Sequence, residues 1–183
     1  MTTPAPLISL PVCSSLDLVS ALTLEPWVKL DSYPTEWNVM LIKGDSGNTR
    51  DYGFWVRSSG DLLLSYASPP GSYYHLYPGG QGFTLSAWHH VLAVLDTVGD
   101  YRALYIDGVR RAADASAIPA LTTNDYSLFL GNCAAAWPLD GVLDELRISG
   151  AVRGSNWAYA SWLSVASNGR FVTNGVVGSP ATG

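Results

Sequence analysis

At 183 residues the chain is long enough for one well-buried core and too short for two comfortable domains. It carries 10 basic and 15 acidic residues, a net charge of −5, and no basic cluster beyond the pair Arg110-Arg111, which speaks against nucleic acid as a partner. No run of about 18 apolar residues exists to insert in a membrane, and the opening MTTPAPLISLPVC lacks the basic start and unbroken apolar core of a secretory signal.

The expected setting is an extracellular or virion surface, reached without a signal peptide in this chain, either as part of a larger secreted protein or within a virus particle. Only 14% of residues are charged against 48% apolar, where about 25% charged is usual. Such a composition leaves two surfaces to choose between: one covered by Ser, Thr and Gly, or one buried in an assembly.

Pro4, Pro6 and Pro11 punctuate an extended start with an edge strand expected at 7–10. Residues 21–30 alternate Leu22, Leu24, Pro26 and Val28 against Thr23, Glu25, Trp27 and Lys29, and the proline predicts an edge position or a bulge. A third strand spans 39–43, and 52–57 with 62–67 form a hairpin about Ser59-Gly60-Asp61. Residues 68–82, rich in Pro and Gly without periodicity, read as a long loop. Residues 88–109 hold two strands with turns at Gly99-Asp100 and Asp107-Gly108. Two more strands follow at 126–131 and 141–149, then a short helix capped by Ser155 and carrying Trp157, Tyr159 and Trp162. A domain over 1–163 and a tail over 164–183, with a strand at 171–172, complete the chain. Short, evenly spaced strands with many turns predict an all-β fold, two antiparallel sheets packed face to face.

ALTLEPWVKL, LIKGD, DYGFWV, WHHVLAVLD, LYIDGV, LFLGN and GVLDELRIS, in that order, resemble the LamG-like jelly rolls of the concanavalin A-like lectin/glucanase superfamily over residues 16–153. Each block is weak alone; the ordered set is specific. Asn156-Trp157 after ELRIS also resembles the closing segment of bacterial members, whereas the short, proline-rich N-terminus departs from the pattern. The resemblance implies a two-sheet antiparallel jelly-roll sandwich with one short C-terminal helix. It further implies a structural calcium near the rim, with Asp144 as carboxylate, aided by carbonyls near Asn132 and by the 14–17 turn with Asp17. The alternative for Asp144 is hydrogen bonding to loop amides.

Catalysis is not expected. Glycosidases of the superfamily need two carboxyls at close spacing, and no ExDxxE pattern occurs. In the cluster Asp140, Asp144 and Glu145, the last two are adjacent on a strand and point to opposite faces. The same alternation separates His89 from His90, and no Ser-His-Asp or Cys-His set can be assembled with specificity. Cys13 and Cys133 either pair, closing a long loop worth roughly 4–5 kcal/mol in the chain-entropy model, or stand as separate thiols.

The aromatic residues are the better lead. Trp55 and Arg57 share a strand face with Trp37 nearby, and Tyr73, Tyr74, His75 and Tyr77 crowd the 68–82 loop. Sugar rings stack their C–H faces on such side chains, and millimolar binding needs only about 4 kcal/mol. The competing reading packs these rings over the sheet. WHHVLAVLD, NVMLI and DLLLSY are apolar on both faces, so the loop, the Trp157 helix or another copy must cover a second face. The expectation is a non-catalytic module binding a glycan or cell-surface ligand, with a homo-oligomer or larger assembly as partner. The alternative is a structural virion component, a decoration or fibre protein, packing through its apolar faces.

Overall fold

The computed structural model describes residues 8–44, 49–77, 79–80, 83–133, 137–167 and 169. Among them eleven strands form two antiparallel sheets. The six-stranded sheet runs β1 (Ile8–Leu10), β10 (Leu128–Leu130), β3 (Trp37–Gly44), β4 (Arg50–Arg57), β5 (Leu62–Ala67), β6 (Tyr73–Leu76). The five-stranded sheet runs β11 (Asp140–Ser149), β2 (Ala21–Ser32), β7 (Trp88–Asp96), β8 (Tyr101–Ile106), β9 (Val109–Asp114). One helix, α1 (Ser155–Ala166), follows β11. No helix among the described residues is long and apolar enough to cross a membrane.

The period of two places the core. Leu22, Leu24, Val28 and Leu30 of β2, with Val91, Ala93 and Leu95 of β7, face Tyr52, Phe54 and Val56 of β4 and Leu62, Leu64 and Tyr66 of β5, all buried. Two-faced strands find their second cover within the chain. Leu92 and Val94 of β7 and Ala103 and Tyr105 of β8 are buried against Ala158 of α1. On the other sheet Val39, Ile42, Trp55 and Leu63 pack with Cys133, Phe129 and Trp137. NVMLI serves both layers because β3 bulges at Met40, which has no place in the register between Val39↔Trp55 and Leu41↔Phe54.

Several local expectations are corrected. Pro26 does not make β2 an edge; β2 lies between β11 and β7. The bulge is on the partner strand: Asp144 pairs with Trp27 and Arg147 with Glu25, and Glu145 takes φ +48° in the irregular step. The predicted 68–82 loop contains β6, whose Tyr73–Leu76 pair with β5 along one side only, a position that demands little of the sequence. Residues 78, 81 and 82 lie outside the described residues. β9, after the Asp107-Gly108 turn, was not anticipated. Gly154, not Ser155, is the helix N-cap, with no side-chain cap bond, and the helix runs on through Ala166. Gly108 sits at φ +74°, and a Cβ there would lie 2.9 Å from Tyr159 Cα, so its small size admits α1 onto the β8–β9 turn. The strand expected at 171–172 lies outside the described residues.

Candidate functional site

Strand parity brings Trp37 of β3, Trp55 and Arg57 of β4, Leu63 of β5 and His75 of β6 to the outer face of the six-stranded sheet. The register sets Trp37 opposite Arg57, Trp55 opposite Leu63, and Ser65 opposite His75. Trp55 forms the floor. Its indole lies over Gly53, where a Cβ would come within 2.3 Å of the ring, and Trp137 meets it edge-on at 6.5 Å and 78°.

Two guanidinium groups frame this floor. Arg57 lies over Trp37 at 4.8 Å and Tyr77 at 5.4 Å, and its Nη2 donates to Glu36 Oε1 at 2.6 Å. Arg50 lies over Tyr73 at 4.1 Å and Trp55 at 5.2 Å, and its Nε donates to Ser65 Oγ at 2.8 Å. A hollow of about 220 Å³ is lined by Trp37, Arg50, Trp55, Leu63, His75 and Trp137. A second of about 200 Å³ shares Trp37, Leu63 and His75 and adds Arg57 and Tyr77, so the two form one groove. Burial, reinforced by the charges of Arg50 and Arg102, lowers the pKa of His75 and favours its neutral form. Bonds from Ser58 and Arg57 lower that of Glu36. The groove thus offers flat aromatic faces, fixed cationic donors and a neutral imidazole.

Of the seven predicted ligand residues, Trp37, Trp55, Arg57, His75 and Tyr77 line this groove. Tyr73 lies against Arg50 and supports it from the side. Tyr74 is a correction: alternation turns it to the opposite face, where it stacks on Tyr66 at 5.5 Å and 15°. Arg50, Leu63 and Trp137 were missed. Arg50 lies just outside the predicted strand, and the loop holding Trp137 has no periodicity to place it.

Two of the residues expected to hold calcium, Asp17 and Asp144, have partners within the chain. Asp17 is bound to the buried ammonium of Lys43 at 2.9 Å. That ammonium also takes Asp51 Oδ2 and the Asn124 carbonyl at 2.6 Å each, so a lysine is the cation in this cage of oxygens. Asp144, on β11 in the other sheet, accepts the N–H of its strand neighbour Glu145 at 2.8 Å. Asn132 is buried with Oδ1 unpartnered among the described residues. Among the described residues no three His, Cys, Asp or Glu side chains gather as metal ligands. The cysteines are separate thiols: Cys13 is exposed at 3.0 Å from Ser15 Oγ, whereas Cys133 is buried beneath the groove.

The paired histidines face opposite ways, as alternation requires. His90 Nε2 meets Glu25 Oε1 at 3.0 Å. His89 Nδ1 meets Asp107 Oδ2 and its Nε2 meets Thr84 Oγ1, both at 2.8 Å. This Thr–His–Asp chain has the order of a hydrolase triad, but the Thr84 backbone N–H also donates to Nε2 at 3.3 Å. Asp107 in turn accepts the His90 backbone N–H at 3.0 Å. The chain fastens the start of β7 to the turn before β9. Of the acidic cluster, Asp140 accepts from Ser32 and Glu145 pairs with Arg147.

A family model described as "Concanavalin A-like lectin/glucanases superfamily" matches residues 5–158. No curated protein matches the chain. Among solved structures, the binding domain of Paraclostridial Mosquitocidal Protein 1 is similar at TM-score 0.69 and 12% identity, over 88% of this chain and 41% of that one. The CBM40 of Ruminococcus gnavus IT-sialidase, bound to alpha2,3 sialyllactose, is similar at TM-score 0.66 and 14% identity, over 81% and 85%. Domain 4 of AbnA, a GH43 extracellular arabinanase from Geobacillus stearothermophilus, in complex with arabinotriose, is similar at TM-score 0.60 and 22% identity, over 82% and 69%. At these identities the likeness is one of fold.

Proposed function

The chain belongs to the concanavalin A-like lectin/glucanases superfamily, and from that premise we propose that it is a non-catalytic carbohydrate-binding module whose outer groove on the six-stranded sheet holds a glycan outside the cell. The observation that carries this reading is the convergence of Trp37, Trp55, Arg57, His75 and Tyr77, from three separate stretches of sequence, on one open groove. A sugar ring laid on the indoles places its hydroxyls within reach of guanidinium and imidazole donors, and a few such contacts suffice for millimolar affinity. Two fold relatives solved with oligosaccharides, sialyllactose and arabinotriose, support the ligand class.

Two further observations favour binding over chemistry and over assembly. No Asp or Glu is among the described residues lining the groove, whereas glycoside hydrolysis needs a pair of carboxyls. The two-faced strands that suggested a virion component are covered by α1 and by the segment around Cys133 and Trp137, so those faces need no neighbouring copy.

A glycan array on the whole chain, followed by calorimetry on the best ligand, tests the proposal. Trp37→Ala and His75→Ala should each weaken binding at least about tenfold, about 1.4 kcal/mol, while Tyr74→Ala leaves it unchanged. An array without a ligand, or affinity indifferent to both groove substitutions, rejects it.

A further inference from the structure

The far side of the sandwich carries a second hollow, of about 370 Å³, lined by Trp27, Trp88, Asp144, Val165 and Ala166. Its walls follow from the register. Asp144 of β11 is directly opposite Trp27 of β2, and Trp88 of β7 is opposite Lys29, two residues along, so all three occupy the outer face of the five-stranded sheet. The last turn of α1 supplies Val165 and Ala166. Trp88 is 44% exposed, a large apolar face left to solvent. Asp144 is exposed and has only Oδ1 engaged among the described residues.

An independent observation lies in the floor. Trp27 is 7% exposed, and its Nε1 has no hydrogen-bond partner among the described residues. Its ring lies 5.3 Å from that of His90, whose Nδ1 also lacks a partner. Buried polar atoms are almost always paired, and leaving one unmade is costly. The Trp27 indole, the member of this pair that lines the hollow, is therefore a polar ring in its floor.

We propose that this hollow is a second carbohydrate site, separate from the groove on the six-stranded sheet, in which a neutral sugar ring stacks on Trp88 and hydrogen-bonds to Asp144 over the Trp27 indole. The Asp144 carboxylate accepts hydroxyl protons and repels an acidic sugar, so its preference is opposite to that of the groove with its two guanidinium groups. The chain then engages a glycan from each side of the sandwich, and the two sites differ in the charge they accept.

The test uses the indole N–H signals of the seven tryptophans in the isotope-labelled whole chain, assigned by single Trp→Phe substitutions. Methyl β-glucoside, methyl β-galactoside and methyl α-mannoside are titrated in the millimolar range. The expected result is a saturable shift of the Trp27 and Trp88 signals with at least one glycoside. That shift persists in Trp37→Ala and weakens several-fold in Asp144→Asn. No saturable shift with any of the three, or a Trp27 shift that survives Trp88→Ala unchanged, overturns the site. Because Trp88 is exposed, the five other indole signals report whether Trp88→Ala keeps its fold. Loss of array binding in the groove variants with the Trp27 and Trp88 shifts retained separates the two sites.

Discussion

Gly53 pairs with Ile42 on one side and Ser65 on the other, and its lack of a side chain lets the Trp55 indole lie flat across the sheet. Glycine inside a strand ordinarily weakens it by about 0.5–1 kcal/mol relative to alanine, so Gly53→Ala would stabilise the chain if the space were free. The expected outcome has the opposite sign. A Cβ 2.3 Å from the ring forces Trp55 to move, which should cost about 1–3 kcal/mol in denaturant unfolding and red-shift tryptophan emission. Lys43 presents the electrostatic counterpart. Its fully buried ammonium joins Asp17 near the N-terminus, Asp51 of β4 and the Asn124 carbonyl. Burial alone would depress its pKa, but bonds to Asp51 and Asp17 raise it. Lys43→Met leaves Asp51 buried without its cation and should cost about 3–5 kcal/mol, seen as a fall in Tm larger than that of Asp17→Asn.

At the scale of elements, α1 decides whether the second apolar face of β7 and β8 is covered. Ala158 is buried on Leu92, Val94, Ala103 and Tyr105, so Ala158→Arg should lift the helix, lower Tm and promote self-association detectable by sedimentation; an unchanged Tm and mass would show that the helix is dispensable. The sequence indicates that β7 needs two covers because its period of two carries apolar residues at odd and even positions alike. It cannot say which element supplies the second, since helix packing depends on Gly108 being small enough to let Tyr159 approach. The hairpin strands β4 and β5 are legible almost to the residue because the Ser59-Gly60-Asp61 turn fixes where one ends and the other begins. β6 is not, because Tyr73-Tyr74-His75 presents aromatic residues to both faces and an edge strand needs only one ladder. The groove divides the same way. Trp37, Trp55 and Arg57 follow from parity, whereas Trp137 and Arg50 reach it through a loop and a strand end. Pro26 predicts an edge position or a bulge in its own strand; β2 is interior instead and the irregularity is on β11, where only the three-dimensional pairing reveals it.

Across the whole molecule, Glu25 is the point at which separate elements are tied together. It lies on β2 and accepts from His90 of β7 at 3.0 Å, from Trp157 Nε1 of α1 at 2.9 Å and from Arg147 of β11 at 3.4 Å. Burial alone would raise its pKa, but hydrogen bonds from His90, Trp157 and Ser161 outweigh it and lower the value from 4.5 to about 2. A carboxylate whose folded pKa is depressed contributes stability that is complete above its unfolded pKa and lost as pH falls through the folded value. The window is therefore pH 4.5 down to 2, and a shift of this size corresponds to roughly 3 kcal/mol. The Arg102–Asp114 pair lowers Asp114 to about 2 as well, but that carboxylate is near solvent and screening makes its share small. Glu25→Gln should consequently remove most of the acid sensitivity within this window while lowering stability at neutral pH, where the charge-assisted bonds are lost. Denaturant unfolding of the two proteins at pH 7, 4.5, 3.5 and 2.5 measures this directly. Converging stabilities at the acid end place the coupling at Glu25; parallel curves separated by a constant difference would assign the acid response to other carboxylates.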